Sequence, residues 1–513
     1  MTGFEDLDDD VLYLVLDYLY LERAIVLQHL RCISTRLRNF ADAVTYKALS
    51  LIDDEAHEQI TYRRAERLTD ASDKISHFVR DLHIVAFRGD DESYCLNTRL
   101  ITECLNRLQR LDSFSWECDA PISNNILYIL KQRFPRAQLC TRVRYPDQNT
   151  LSLPQLFRLH VSIPCADLSG RDSISMFRPL KQALLRLPNL RHLLLDTHFD
   201  IDVNRMEGAA MGSLQLPLEP GDALPPLESL GFCSTRYNFS EQHCLDLLAS
   251  IDCKKLRQLK LTPPTPIHFF HVFLGNLPHL THLEVSDASN RYDPQYFRRR
   301  ACSDFIAGLK SLQKLVIRCN ELDLESGFSK MLVDVHGPSL RHLSIQARQD
   351  DYYSPTYMGC IRETLSHFTN LQSLDMALPD IQTSHHCPDC DGYQWGEPTT
   401  IWIPPPLPHL RHVNLSMRAP TTEQSLFEHV NKHAHCATRR LWKTFTEDPG
   451  TNLETFSLRL WRWETGRSTR VNELIYDTTR LHERIVTKIR HNHDVPTTVY
   501  KEVGSTHRNT SVP

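Results

Sequence analysis

Two cysteines and two histidines in this 513-residue chain have the spacing of metal ligands. Cys387 and Cys390 form a C-x-x-C pair preceded by His385 and His386, and His429 and His433 stand four apart on one face of a helix over SLFEHVNKHAHC. Thiolates and imidazoles together make a legitimate zinc set. The 38 residues between Cys390 and His429 are long for a zinc finger, and a repeat strand lies between the pairs. The plainer reading is a reduced C-x-x-C on a loop. No cofactor is expected, and a zinc-binding enzyme built on residues 385–436 stands as an alternative. Other chemistry finds no anchor. The chain has no GxGxxG, no GxxxxGK[ST] and no GxSxG, and His482-Glu483 is followed by Arg484, Ile485 and Val486, which is not HExxH. Nothing favours one of the 15 cysteines over the others as a nucleophile. The chain is read as a non-enzyme.

A second set of reactive side chains recurs with the pattern L-x-x-L-x-x-L-x-apolar, seen for example in LPNLRHLLL from Leu187. Its copies run from LQRLDSFSW at Leu108 to TNLETFSL, and their second apolar positions advance from Leu111 to Leu453 by about 34 residues per step. A supersecondary unit recurring at that period is the mark of a solenoid. Strand side chains alternate between faces, so the leucines point inward and the residues between them point outward. The outward residue before the third apolar position reads Ser113, Arg158, His192, Ser229, Gln258, His282, Lys314, His342, Ser373, His412 and Thr455, with no acid. The next outward position reads Ser115, His160, Leu194, Gly231, Lys260, Glu284, Val316, Ser344, Asp375, Asn414 and Ser457. In a horseshoe, with strands on the concave side and helices on the convex side, Arg158, His192, Gln258, His282, Lys314, His342 and His412 become substrate-binding candidates. They suit an acidic or phosphorylated segment, with an affinity that changes near the pH where histidine titrates. The competing reading is that R-H-L is a favoured filler of this repeat and that each histidine is solvated and idle. Tyr352, Tyr353, Trp461 and Trp463 are candidate interface anchors, or simply core and rim aromatics.

Composition sets the frame for these elements. A chain of this length exceeds a single compact core, which calls for several domains or an elongated solenoid. The net charge of −5 makes no general case for nucleic acid or membrane. Scattered cysteines in odd number read as reduced thiols of an intracellular protein, cytoplasmic or nuclear. The acidic start MTGFEDLDDD has neither a basic nor an apolar region, so no signal peptide is expected. No stretch approaches the length of a membrane span.

The first residues differ from the repeats. Val11, Leu12, Val15, Leu16 and Leu19 lie on one helical face after an N-cap at Asp8 or Asp9. ERAIVLQHLRC predicts a second helix, and TRLRNFADAVTYKAL a third, capped by Ser34. Three short helices form a very small core and leave apolar surface for a partner. Leu7-Asp8-Asp9-Asp10-Val11-Leu12, Val15-Leu16, Tyr18-Leu19 and RCISTRLRNFADAVTYKALSL resemble an F-box. With the repeats behind it, the whole resembles the F-box/leucine-rich-repeat proteins of filamentous fungi. The family opens L-P-x-E, whereas this chain has Asp8 for the proline and Asp10 for the glutamate.

The resemblance implies a substrate receptor of an SCF-type cullin-RING ubiquitin ligase, whose partners are the small adaptor subunit and a protein substrate. The adaptor-docking positions it implies are Leu7, Val11, Leu12, Val15, Leu16, Leu19, Leu27, Leu30, Ile33 and Leu37. The expected fold is α/β, a leucine-rich-repeat horseshoe led by a three-helix F-box-like module. The expected division is 4–51 for that module, 52–74 for a linker helix, 75–465 for an irregular solenoid with insertions, and 466–513 for a terminal helix over 469–490 and a disordered tail. A leucine-rich scaffold unrelated to ubiquitin is the main alternative.

Overall fold

The computed structural model of the chain describes residues 7–52, 58–85, 91–118, 120–144, 148–164, 173–198, 215–233, 237–262, 266–287, 296–319, 326–347, 364–377, 385–387, 392–394, 407–418, 453–463, 470–481, 484–491 and 498–502. The backbone divides into two compact units, residues 1–238 with 249–252 and residues 239–248 with 253–513.

The first unit begins with helices α1 (Asp9–Leu30) and α2 (Thr35–Thr45), followed by β1 (Ala48–Ile52), α3 (Glu58–Thr69), α4 (Ile75–Phe78) and β2 (Asp81–Val85). It continues through α5 (Asp91–Arg107), β3 (Ser113–Glu117), α6 (Asn124–Arg133), β4 (Gln138–Val143), α7 (Gln148–Leu151), β5 (Leu156–Pro164), α8 (Ser173–Leu184), β6 (His192–His198) and β7 (Ser229–Cys233). The strands β1 to β7 pair in sequence order and all run parallel. Parallel neighbours require a crossover, here usually a helix. Leu190 shows how one repeat turns into its strand. Its N–H bonds to the carbonyl of Leu187 over Pro188 and Asn189, and the Asn189 amide donates to the Pro154 carbonyl of the preceding repeat at 2.8 Å.

The N-terminal helices differ from the expectation. The first two of the three predicted helices are one continuous helix, α1, because DYLYLERAIV contains neither glycine nor proline and half of its residues are good helix formers. Asp8 occupies the N-cap position without a side-chain hydrogen bond, while Asp9 and Asp10 place negative charge at the positive end of the helix dipole. Ser34 does cap α2, accepting from the Leu37 N–H at 3.2 Å. The segment read as a linker helix holds α3, which buries Ala65 and Leu68, while Thr61 bonds to both the N–H and the carbonyl of Ile52 in β1.

The boundary between the units falls within α9 (Glu241–Ser250). The second unit contains β8 (Gln258–Leu261), α10 (Ile267–Phe273), β9 (His282–Asp287), α11 (Tyr296–Ala307), β10 (Lys314–Cys319), α12 (Ser326–His336), β11 (His342–Ala347) and β12 (Ser373–Ala377). A short antiparallel hairpin follows, β13 (His385–Cys387) with β14 (Gly392–Gln394), then β15 (His412–Arg418) and β16 (Thr455–Trp463). The strands β8, β9, β10, β11, β12, β15 and β16 form a parallel sheet in that order. Three antiparallel strands extend it, β17 (Arg470–Leu481), β18 (Arg484–His491) and β19 (Thr498–Glu502). These replace the helix expected over 469–490, and one of them lies in the expected tail. Val471, Ile475, Tyr476, Thr478, Thr479, Ile485, Val486, Thr487 and Ile489 are β-branched or aromatic, and two residues between β17 and β18 suffice for a hairpin.

The leucine side of the repeat strands is buried, and the other side is more open, although Ser115, Gly231, Val316 and Ser344 are buried there too. In β9 and β10 the residues Leu283, Val285, Leu315 and Ile317 are buried, and Phe269, Phe273 and Phe305 of α10 and α11 lie in the same core. Phe269 stacks on Phe273 at 4.1 Å and meets Phe305 edge-on. One face of the sheet is therefore closed, and the other carries the polar residues. Among the described residues no helix is long and apolar enough to cross a membrane.

Candidate interaction surfaces

The helical module of the first unit has a closed side and an open side. Leu12, Leu16, Leu27, Leu37, Ala41 and Val44 form its core, with Leu7, Leu19, Leu30, Tyr13 and Phe40 partly buried against it. Four of the ten implied docking positions, Leu12, Leu16, Leu27 and Leu37, are thus interior residues at 2% exposure or less. They cannot meet a partner without the module opening. Val15 is half-buried. Val11 and Ile33 remain exposed, at 44% and 64%, as do Leu14 at 66% and Tyr18 at 63%, neither of them among the implied docking positions. Positions 11, 14 and 18 fall on one face of α1 at i, i+3 and i+7. A helix apolar on two sides reads by periodicity as one broad stripe, which is why the interior and exterior residues were not separated.

The module is braced. The Arg36 guanidinium donates to the Leu7 carbonyl at 2.7 Å and pairs with Asp9 at 2.5 Å. Tyr46, just after α2, sits between two guanidiniums, Arg31 at 5.7 Å and Arg67 of α3 at 5.1 Å from its ring centre. Arg67 also donates to the Tyr46 hydroxyl at 3.0 Å and to Asp73 at 2.7 Å. Burial pushes the Tyr46 hydroxyl pKa up, but hydrogen bonding and charge from Arg67 and Arg31 outweigh it and bring the pKa below the usual tyrosine range. Lys47 reaches Asp17 of α1 at 3.7 Å, and its carbonyl accepts from the N–H groups of Arg80 and Asp81 at the start of β2.

The polar row is in register throughout the second unit, but in the first it shifts between β4 and β5, where Arg158 is opposite Cys140. In the first, Arg158 is opposite His192, and His192 is opposite Ser229. Ser113 is opposite Asp81 and Gln138, and its hydroxyl donates to the Asp81 carboxylate at 2.6 Å, so the row there does contain an acid. His192 lies 5.1 Å from the Phe157 ring, and burial first, then Arg158, holds its pKa below the usual histidine value. In the second unit the row is unbroken: Gln258, His282, Lys314, His342, Ser373, His412 and Thr455 are successive partners. Its neighbour on the same face, Lys260, Glu284, Val316, Ser344, Asp375, Asn414 and Ser457, is equally in register.

Charges on this face are partly satisfied. Glu284 bridges Lys260 at 3.1 Å and Arg318 at 2.9 Å, and Ser344 donates to Asp375 at 3.0 Å. Arg318, from the next outward position of β10, is the charged member that the nine-residue pattern did not reach. His412 Nδ1 and the Thr455 hydroxyl are hydrogen-bonded across 2.8 Å, and His282 Nδ1 and the Thr281 hydroxyl across 2.9 Å. Lys314 is exposed and has no acid within ion-pair distance among the described residues.

Of the alternative zinc set, Cys387 is the last residue of β13, while Cys390, His429 and His433 lie outside the described residues. Tyr352 and Tyr353 also lie outside, and Trp461 and Trp463 fall in β16.

No model of a known protein family matches the chain, and no curated protein does.

Proposed function

We propose that this chain is a non-catalytic substrate receptor of an SCF-type cullin-RING ubiquitin ligase, built as a leucine-rich-repeat solenoid behind an F-box-like module. The observation that carries the reading is the open face of that module. Val11, Leu14 and Tyr18 are large, exposed side chains on one face of α1, and Ile33 is exposed in the turn before α2, while Leu12, Leu16 and Leu27 of the same helix lie in a finished core. Exposed apolar residues concentrated on one helix mark a contact surface. The adaptor subunit would cover this face, and the in-register polar rows would hold a protein substrate. Catalysis would then be proximity supplied to another enzyme's chemistry, which asks for no active site in this chain.

The expected test is co-purification of the tagged chain with the ligase adaptor. The structure selects the variant: Leu16→Asp would place a charge inside the core and unfold the module, whereas Leu14→Asp with Tyr18→Asp charges only exposed positions. The wild-type chain is expected to retain the adaptor, and the double variant to lose it while its helical content is unchanged. Adaptor retained equally by both chains would remove α1 as the contact.

A second reading, a leucine-rich scaffold unrelated to ubiquitin, is favoured by two departures from the family, Asp8 in place of the opening proline and the merging of the first two expected helices into α1. Absence of the adaptor from the wild-type chain would select it.

A further inference from the structure

The second unit's polar face carries a cationic centre. On adjacent strands, His282, Lys314 and His342 are direct partners, about 4.8 Å apart from strand to strand. Lys260 and Arg318 flank them on the same face. The carboxylates facing this centre are Glu284, already shared between Lys260 and Arg318, and Asp375, which accepts from Ser344. Gln258, Ser373, His412 and Thr281 complete the surroundings, with Arg341 immediately before β11. Like charges on neighbouring rungs repel, and among the described residues no acid lies within ion-pair distance of Lys314 to offset this. Both histidines respond to it. Burial and then Lys314 hold His282 below its ordinary pKa, and burial, Lys314, His282, His412 and Arg341 do the same to His342.

We infer that His282, Lys314 and His342 form the capture point for a carboxylate- or phosphate-bearing segment of a protein partner, and that this segment binds together with protons. An anion seated over the three rungs relieves the repulsion and favours the imidazolium form of both histidines. By linkage, affinity is weakest where they are neutral and strengthens as pH falls through the histidine range. A peptide fits this face better than a nucleic acid. Glu284 and Asp375 would repel a continuous phosphate backbone, and the whole chain has a net charge of −5. The inference deepens the receptor reading and rests on it only for the claim that the segment belongs to a ubiquitination substrate.

The test uses the full chain and a fluorescein-labelled oligoglutamate peptide about ten residues long, which is extended enough to cross several strands. Anisotropy is read near neutral pH and about one and a half units lower, where glutamate is still ionised. Wild type is expected to bind about tenfold more tightly at the lower pH, in proportion to the change in histidine charge. Lys314→Glu is expected to lose at least that factor at both pH values. His282→Gln with His342→Gln is expected to keep the neutral-pH affinity and lose the pH dependence. Binding unaffected by Lys314→Glu, no binding at either pH, or an unchanged pH dependence in the double variant would each overturn the proposal. So would tighter, Lys314-dependent binding of an oligouridylate of equal length, which would make this a nucleic-acid surface. Adaptor retention measured on the Lys314→Glu chain separates this outcome from the receptor reading itself, because α1 is untouched.

Discussion

His336 is fully buried near the end of α12, with both ring nitrogens engaged by backbone. Nε2 faces the Ile306 carbonyl at 2.9 Å and so carries the proton, and Nδ1 accepts from the Leu312 N–H at 3.3 Å. The neutral ring satisfies the Leu312 N–H and adds a second donor to the Ile306 carbonyl, which also accepts from the Leu309 N–H at 3.1 Å, and burial holds the ring's pKa below the ordinary histidine value. His336→Ala is expected to cost about 2–4 kcal/mol by urea denaturation, since it opens a cavity and orphans the Leu312 N–H. A loss below about 0.5 kcal/mol would show that water replaces the ring at no cost. The sequence does not distinguish this histidine from the row histidines, because its role depends on two loops brought together by the repeat stacking. The row itself was legible. Once the leucines fix which side of each strand is buried, the residues between them must share a face, and a one-residue slip in register would have turned all of them inward.

At the scale of elements, α3 is the case where charge misled. Residues 52–74 are rich in charged side chains and read as a connector, yet Ala65 and Leu68 are buried and Arg67 clasps Tyr46. The helical module is therefore joined to the first strands of its own unit by packed side chains and not by a tether. Arg67→Met is expected to remove the hydroxyl bond, the ring contact and the pairing with Asp73, lowering stability by about 1–2 kcal/mol. It should also speed limited proteolysis after Arg31 and Lys47. An unchanged cleavage rate would mean that the apolar packing alone fixes the module. Helix α1 itself was legible as a helix but not in its extent, since nothing in the residues from Leu19 to Ala24 demands a break or forbids one. The strands β17 to β19 were missed for a related reason. Their apolar residues are too sparse to separate a period of two from one of 3.6, and β propensity with pairing to β16 decides the outcome.

At the scale of the whole chain, the parallel sheet of the second unit meets its end problem with those same strands. β16 pairs with β15 on one side and with β17 on the other, so the last repeat strand is not an edge. A chain ending after Trp463 would present β16 as an open, apolar edge and is expected to aggregate, seen as light scattering at concentrations where the full chain stays monodisperse. A monodisperse truncated chain would show that β17 to β19 are dispensable. The positions of the eleven repeat strands and their register in the second unit follow from one nine-residue pattern, whereas β1, β2, β4, β13, β14, β17 to β19 and the division into two units have no signature in it. The central claim, that the exposed face of α1 is a docking surface for a ligase adaptor, is most directly tested by isothermal titration of purified adaptor into the full chain. Saturable binding by wild type, weakened at least a hundredfold by Leu14→Asp with Tyr18→Asp, is the expected result, because each charge must be desolvated in an apolar contact. Equal heats from both chains, or none from wild type, would contradict it.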